Sequence, residues 1–295
     1  MSIINNILKL RHEAEGQISD LPALMMRAQN IATNVVHGAH PQRISGTGEK
    51  FWQFREYAPS DRPQDIDWRQ SAKGDDVLVR QKEWHTTQKT YLWCAGGASM
   101  NFRSSKTIMT KQDCAMVLTL SLALLLRDGE EHIGIFGNLN TGRSEERIEK
   151  IGSYLLARHY EGENLPKMAQ FDLPRQASFI AVGDFISSKT DIKQVISHIS
   201  NKTNNGTIVQ IFDPAELDLP YSGRVRFEGE NLSAMVDNVA SIREAYKSRV
   251  NGNIDFIKTL CHDYGWHYIL HRTDHDISDT LKDILAMSDF DGSAV

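Results

Sequence analysis

Apolar positions change their period along this chain, and the changes mark its elements. Leu24, Ala28, Ile31 and Val35 recur at helical spacing. Ser19-Asp20 offers a cap, Pro22 suits a first turn, and Gly38 and Pro41 end the pattern. From residue 90 short apolar runs alternate with helical stretches. Strands are expected at 91–94, 132–136, 178–182, 207–212 and 266–270. Helices are expected at 112–127, 145–159, 190–200, 232–263 and 278–287. Five alternations predict an α/β fold: a parallel sheet with helices on both faces. Ligand sites in such sheets lie beyond the carboxyl ends of the strands. Those ends are 95–101, 137–142, 184–188 and 213–216.

Residues 41–90 read differently. Nine Lys/Arg and eight Asp/Glu crowd this stretch, together with Trp52, Trp68 and Trp84. Phe51, Phe54 and Tyr57, then Val77, Leu78, Val79 and Trp84, suggest two strands around a turn at Gly74-Asp75-Asp76. The expected organisation is therefore an N-terminal helix with a small charged β-rich extension over 1–89, followed by an α/β domain over 90–295.

Net charge is −5, which argues against a dedicated nucleic-acid binder. Three dispersed cysteines, Cys94, Cys114 and Cys261, lack metal-ligand spacing and fit a reducing compartment. No signal peptide is read at the N-terminus. The longest apolar run, 115–126, is too short for a bilayer core of about 30 Å, so it is expected as a buried helix. A cytoplasmic protein without a membrane span is the expectation.

Three chemistries compete at the end of the first strand. Ser105-Lys106-Thr107 resembles the end of a Walker A motif but lacks its glycines. Gly97-Ala98-Ser99-Met100-Asn101 matches four positions of a nucleophile elbow. Ser99 would be the nucleophile of an α/β-hydrolase, with Asp184 or Asp213 and then His267 or His271 following in chain order. The third reading is a metal-ion-dependent adhesion site, in which hard oxygen ligands hold Mg²⁺. Its motif positions fall on Ala95, Gly97 and Ser99, with Asp184 for a third-loop acid and Thr141 for a second-loop hydroxyl. Only Ser99 survives of the first three, so the site is degenerate, and neither a metal nor a cofactor is expected. His132 reads as a packed strand residue; His37, His40 and His85 lack ligand spacing.

Arg55-Glu56-Tyr57-Ala58-Pro59-Ser60-Asp61, followed by Asp65-Ile66-Asp67-Trp68-Arg69-Gln70-Ser71-Ala72-Lys73, resembles the signature of the family filed as domain of unknown function 58. Asp213-Pro214-Ala215-Glu216 and Gly265-Trp266-His267-Tyr268 are similar to it as well. Ser60 and Gln64 depart from the usual Gly and Arg. The resemblance implies a von Willebrand factor A-like (Rossmann-like) domain with a small β-rich extension. It also implies a non-enzymatic adaptor or assembly factor that acts with a MoxR-type AAA+ ATPase, and with a client protein or membrane complex. The signature residues Arg55, Tyr57, Asp61, Asp65, Asp67, Trp68, Arg69 and Ser71 would be structural or partner-binding. Read from the residues alone, its acids and arginines form an ion-pair network in which a buried Arg pairs Asp67. Trp68 then wedges the extension against the sheet domain.

Overall fold

In a computed structural model of the chain, residues 20–36, 51–58, 64, 66–74, 76–82, 88–137, 139–157, 163–167, 173–174, 177–229 and 233–290 are described. They divide into two compact units, one of residues 43–87 and one of residues 1–42 with 88–295.

The larger unit is built on a six-stranded sheet in the order β10-β7-β6-β3-β4-β5. Its strands are β3 (Lys89–Cys94), β4 (His132–Ile135), β5 (Leu139–Gly142), β6 (Ala177–Gly183), β7 (Thr203–Phe212) and β10 (His267–Arg272). Five strands run parallel, and β5 pairs antiparallel with β4 at the edge. The chain leaves β3 toward β4 on one side and later returns to β6 on the other. The switch point of the topology thus lies between the ends of β3 and β6, where α/β sheets open a crevice. This is a mixed α/β fold with a mostly parallel central sheet, consistent with a von Willebrand factor A-like domain.

Helix α3 (Lys111–Asp128) is buried from Lys111 through Leu126 except at Asp113, because it is apolar nearly all round. Helices α4 (Glu145–Ala157) and α8 (Ile277–Phe290) lie against it. Helices α5 (Lys189–Ser200) and α7 (Val239–Asp263) pair elsewhere on the sheet. The N-terminal helix α1 (20–36) buries Leu24, Ala28, Ala32 and Val35 in this same core. Leu21 and Met25 fill the space over Gly152 of α4. The helix expected with the extension over 1–89 therefore groups with the α/β body, since its apolar stripe has its partners there. The smaller unit ends at Thr87.

Two elements differ from the sequence reading. The stretch 232–263, expected as one helix, splits into β9 (Ser233–Val236) and α7, and β9 pairs antiparallel with β8 (Val225–Glu228). Asn238 caps α7 by accepting from the Ala240 N–H, which fixes the break. Residues 139–142, expected as a loop, form the edge strand β5.

The smaller unit pairs β1 (Phe51–Glu56) antiparallel with β2 (Leu78–Lys82), joined through the short helix α2 (Trp68–Ser71). No described helix is long and apolar enough to cross a membrane.

Candidate functional site at the strand ends

The crevice residues come from three strand ends and the start of one helix. Asp184 follows β6 and is fully buried. Its Oδ1 accepts from the Ile186 N–H at 3.2 Å, across a turn in which Phe185 takes a left-handed φ of 51°. Asp213 follows β7, is also fully buried, and caps α6 (Pro214–Asp218). Its Oδ1 accepts from the Ala215 N–H at 2.8 Å and its Oδ2 from the Ser104 N–H at 2.8 Å. Glu216 completes a capping box by accepting from the Asp213 N–H at 3.0 Å.

Lys111 lies between these acids. It is the first residue of α3, it is fully buried, and its Nζ donates to Asp184 Oδ2 at 2.9 Å and to Glu216 Oε1 at 2.7 Å. A cation at a helix N-terminus opposes the helix dipole, and a buried ammonium needs paired acids. The two carboxylates supply that pairing. Burial raises the Glu216 carboxyl above its ordinary range, more than the ammonium of Lys111 lowers it. A further layer holds the acids in place. Gln210 donates to the Asp184 carbonyl and to Asn253 Oδ1, both at 2.9 Å, and accepts from the Tyr268 hydroxyl at 2.7 Å.

The β3 side of the crevice carries no carboxylate. Ala95 is fully buried, and a Cβ on Gly183 would come within 2.6 Å of its own. At Gly97 a Cβ would fall 1.4 Å from Asn164 Oδ1, so the asparagine amide occupies the place of the side chain. Ser99 stands in the 3₁₀ turn Ala98–Asn101; its Oγ is buried without a hydrogen-bond partner, as is Asn164 Oδ1. Thr141 lies apart from the crevice. It is part of β5, hydrogen-bonds Tyr91, and so stands about 13 Å of strand before Ala95.

A divalent cation does not fit this donor set. Ala95 and Gly97 offer no ligand and no room, and Asp184 Oδ2 and Glu216 Oε1 are already turned to the Lys111 ammonium. Mg²⁺ is usually held through carboxylates that remain free to ligate. The hydrolase residues are also apart. His271 lies on β10, three strands from β3, roughly 14 Å by strand spacing. It hydrogen-bonds Thr280 at 2.7 Å, and burial pushes its imidazole down to about 4. His267 begins β10, at the opposite end of the sheet. Ser105 and Thr107 bond each other at 2.8 Å in an exposed loop. His132 is half-buried at the start of β4. Among the described residues no cluster of three His, Cys, Asp or Glu is placed to hold a metal.

Sequence reasoning found Asp184, Asp213 and Glu216 by their strand-end positions but missed Lys111. The signal was present: a lysine at the head of an otherwise apolar helix.

In the smaller unit the signature reads as a turn scaffold. Asp67 Oδ1 accepts from the Arg69 and Gln70 N–H groups at 3.1 and 3.0 Å, capping α2. Ser71 Oγ donates to the Asp67 carbonyl and accepts from the Leu78 N–H, both at 2.8 Å. The Asp67 N–H donates to the Leu78 carbonyl at 2.9 Å, and the Tyr57 N–H to Val77 at 2.7 Å. The Asp-Trp-x-x-Ser spacing thus ties α2 to β2. Within the smaller unit Trp68, the first residue of α2, is exposed. Arg69 is exposed. Asp61, Asp65, His37, His40, His85 and the side chain of Arg55 lie outside the described residues.

No curated protein matches the chain. Two solved structures align with low scores. The conserved hypothetical protein BatB from Bacteroides thetaiotaomicron is 10% identical, with a TM-score of 0.38, over 68% of this chain and 99% of that one. An aerotolerance-related membrane protein from Bacteroides fragilis, carrying multiple mutations to serines, is 14% identical, with a TM-score of 0.37, over 68% and 97%. Scores at that level carry no argument. The family comparison does, because residues 53–253 span both the Asp67–Ser71 scaffold and the Asp184, Asp213 and Glu216 strand ends. The chain belongs to the family described as "protein of unknown function DUF58".

Proposed function

We propose that the chain is a non-enzymatic, cytoplasmic protein-binding module, an adaptor or assembly factor that acts with a MoxR-type AAA+ ATPase. The observation that carries this reading is the Lys111–Asp184–Glu216 cluster. The strand ends are where a sheet of this topology presents its site, and here an internal ammonium closes the carboxylates. A site closed in this way has no metal to bridge a partner's carboxylate, so recognition rests on direct protein contacts. The family membership and its signature support the ATPase as the partner.

The test is capture of crosslinked native complexes with the tagged full chain, with and without EDTA. An AAA+ ATPase should copurify equally in both. Its absence from cells that express it overturns the ATPase part of the reading. Loss of capture with EDTA overturns the metal-independent part.

A further inference from the structure

Beside the buried cluster lies an unassigned pocket of about 360 Å³. Phe102, Tyr221, Phe227 and Tyr246 line it, and Glu216 forms part of its wall. The Tyr221 and Phe227 rings meet edge to face at 6.0 Å and 74°. The Phe102 side of the pocket is open, since that residue is 39% exposed. Glu216 keeps 17% of its side chain exposed, although its Oε1 holds Lys111 and its Oε2 accepts from the Asp213 N–H. Asp184 and Glu216 meet one buried ammonium, and Asp213 is bonded beside them to the Ser104 and Ala215 N–H groups. Two arginines nearby are occupied. Arg226 pairs with Glu228 at 3.1 Å, and Arg243 donates to the Leu219 and Tyr221 carbonyls at 3.0 and 2.7 Å.

We propose that this pocket binds a single cationic side chain, the ammonium of a lysine or the guanidinium of an arginine, presented by a partner protein. Aromatic faces attract a cation through their quadrupole, and a carboxylate on the wall supplies the opposite charge. The volume is ample for one lysine side chain with its shell of water. The acids' field already reaches the pocket. Burial raises the Tyr221 hydroxyl first, and Asp213 and Glu216 raise it further; Glu216 does the same at Tyr246. The Glu216 carboxyl, held high by burial despite Lys111, is under-compensated. A guest cation completes that compensation. The reading of the chain as a protein-binding module enters only in naming a protein as the carrier of the cation.

The test uses small probes and the full chain, so its failure is distinguishable from failure of the ATPase capture. Nα-acetyl-lysine N-methylamide, the arginine analogue and the neutral norleucine analogue are titrated while the aromatic resonances are followed by NMR. At least one cationic probe should shift the Phe102, Tyr221, Phe227 and Tyr246 rings saturably, with a Kd of about 1 mM or a few millimolar, and the norleucine probe should bind at least about tenfold more weakly. Phe227→Leu keeps the pocket apolar but removes a π face, and should weaken the cationic probe about fivefold with unchanged melting. Which cation binds tighter names the side chain. Equal binding of norleucine, no saturable shift up to about 50 mM of either cation, or undiminished binding to Phe227→Leu each overturns the proposal.

Discussion

At the carboxyl ends of β6 and β7 the carboxylates of Asp184 and Asp213 are withdrawn from water together with the Lys111 ammonium, with Glu216 at the edge, whereas in the smaller unit Asp67 stays half-buried and works as a helix cap. Both regions are rich in charge, and both carry residues of the family signature or its outlying motifs. They differ in what the charge faces. Asp67 accepts from backbone N–H groups two and three residues away, bonds that are local and form with the turn itself. Asp184 and Glu216 bond a lysine 73 and 105 positions away, so their bonds exist only once the sheet and α3 are packed. A buried pair contributes little net stability when intact, because desolvation opposes attraction, but it is costly to break. A cap contributes modestly and is lost modestly. The contrast therefore concerns the penalty of removal more than the strength of attraction.

The largest expected effect is at Lys111. Lys111→Met keeps the stem and removes the charge, leaving Asp184 buried and unpaired. Thermal unfolding should report a loss of about 3–5 kcal/mol, or roughly 10 °C for a body of this size. Adding Asp184→Asn and Glu216→Gln to the same chain should recover most of the loss, since the neutral set leaves no bare charge. A Lys111→Met chain that melts like the parent would erase the distinction between the two regions.

A second effect sharpens the contrast by pH. The His271 imidazole is pushed down to about 4 by burial, against an unfolded value near 6.5. The unfolded chain then binds the proton more readily, so stability falls as pH falls through this window. Between pH 6.5 and 5 the loss from this group should be about 1.5 kcal/mol. His271→Gln, measured by urea unfolding at both pH values, should flatten that part of the slope. An unchanged slope would place the titration elsewhere.

The smallest effects belong to the signature turn. Asp67→Ala should cost about 1 kcal/mol as a lost cap. Ser71→Ala should cost a similar amount, through the Leu78 N–H left without its acceptor. Both are read from chemical denaturation. Losses as large as that of Lys111→Met would show that the turn is a buried network after all, as its charge pattern first suggested.

The same contrast explains how legible each region was. Periods of two and 3.6 announce elements that bury a face, so β3, α3, β6, β7 and α8 could be read from Tyr91 onward. The hairpin β8–β9 could not. β8 alternates half-buried and exposed positions, and β9 is exposed up to Val236, with Met235 52% exposed, so no apolar face set it apart from α7. β5 is Leu-Asn-Thr-Gly and owes its strand state to pairing with β4. At the site, strand-end position revealed the acids. Lys111 precedes by one residue the helix that periodicity outlined, and its role depends on partners brought by the fold.

The Lys111 ammonium already occupies the carboxylates that a divalent cation at the strand ends would need. Calorimetric titration of the purified chain with MgCl₂ tests it most directly. No saturable heat is expected in the micromolar range, and affinity no better than about millimolar. Saturable micromolar binding that disappears in Asp184→Ala would contradict it.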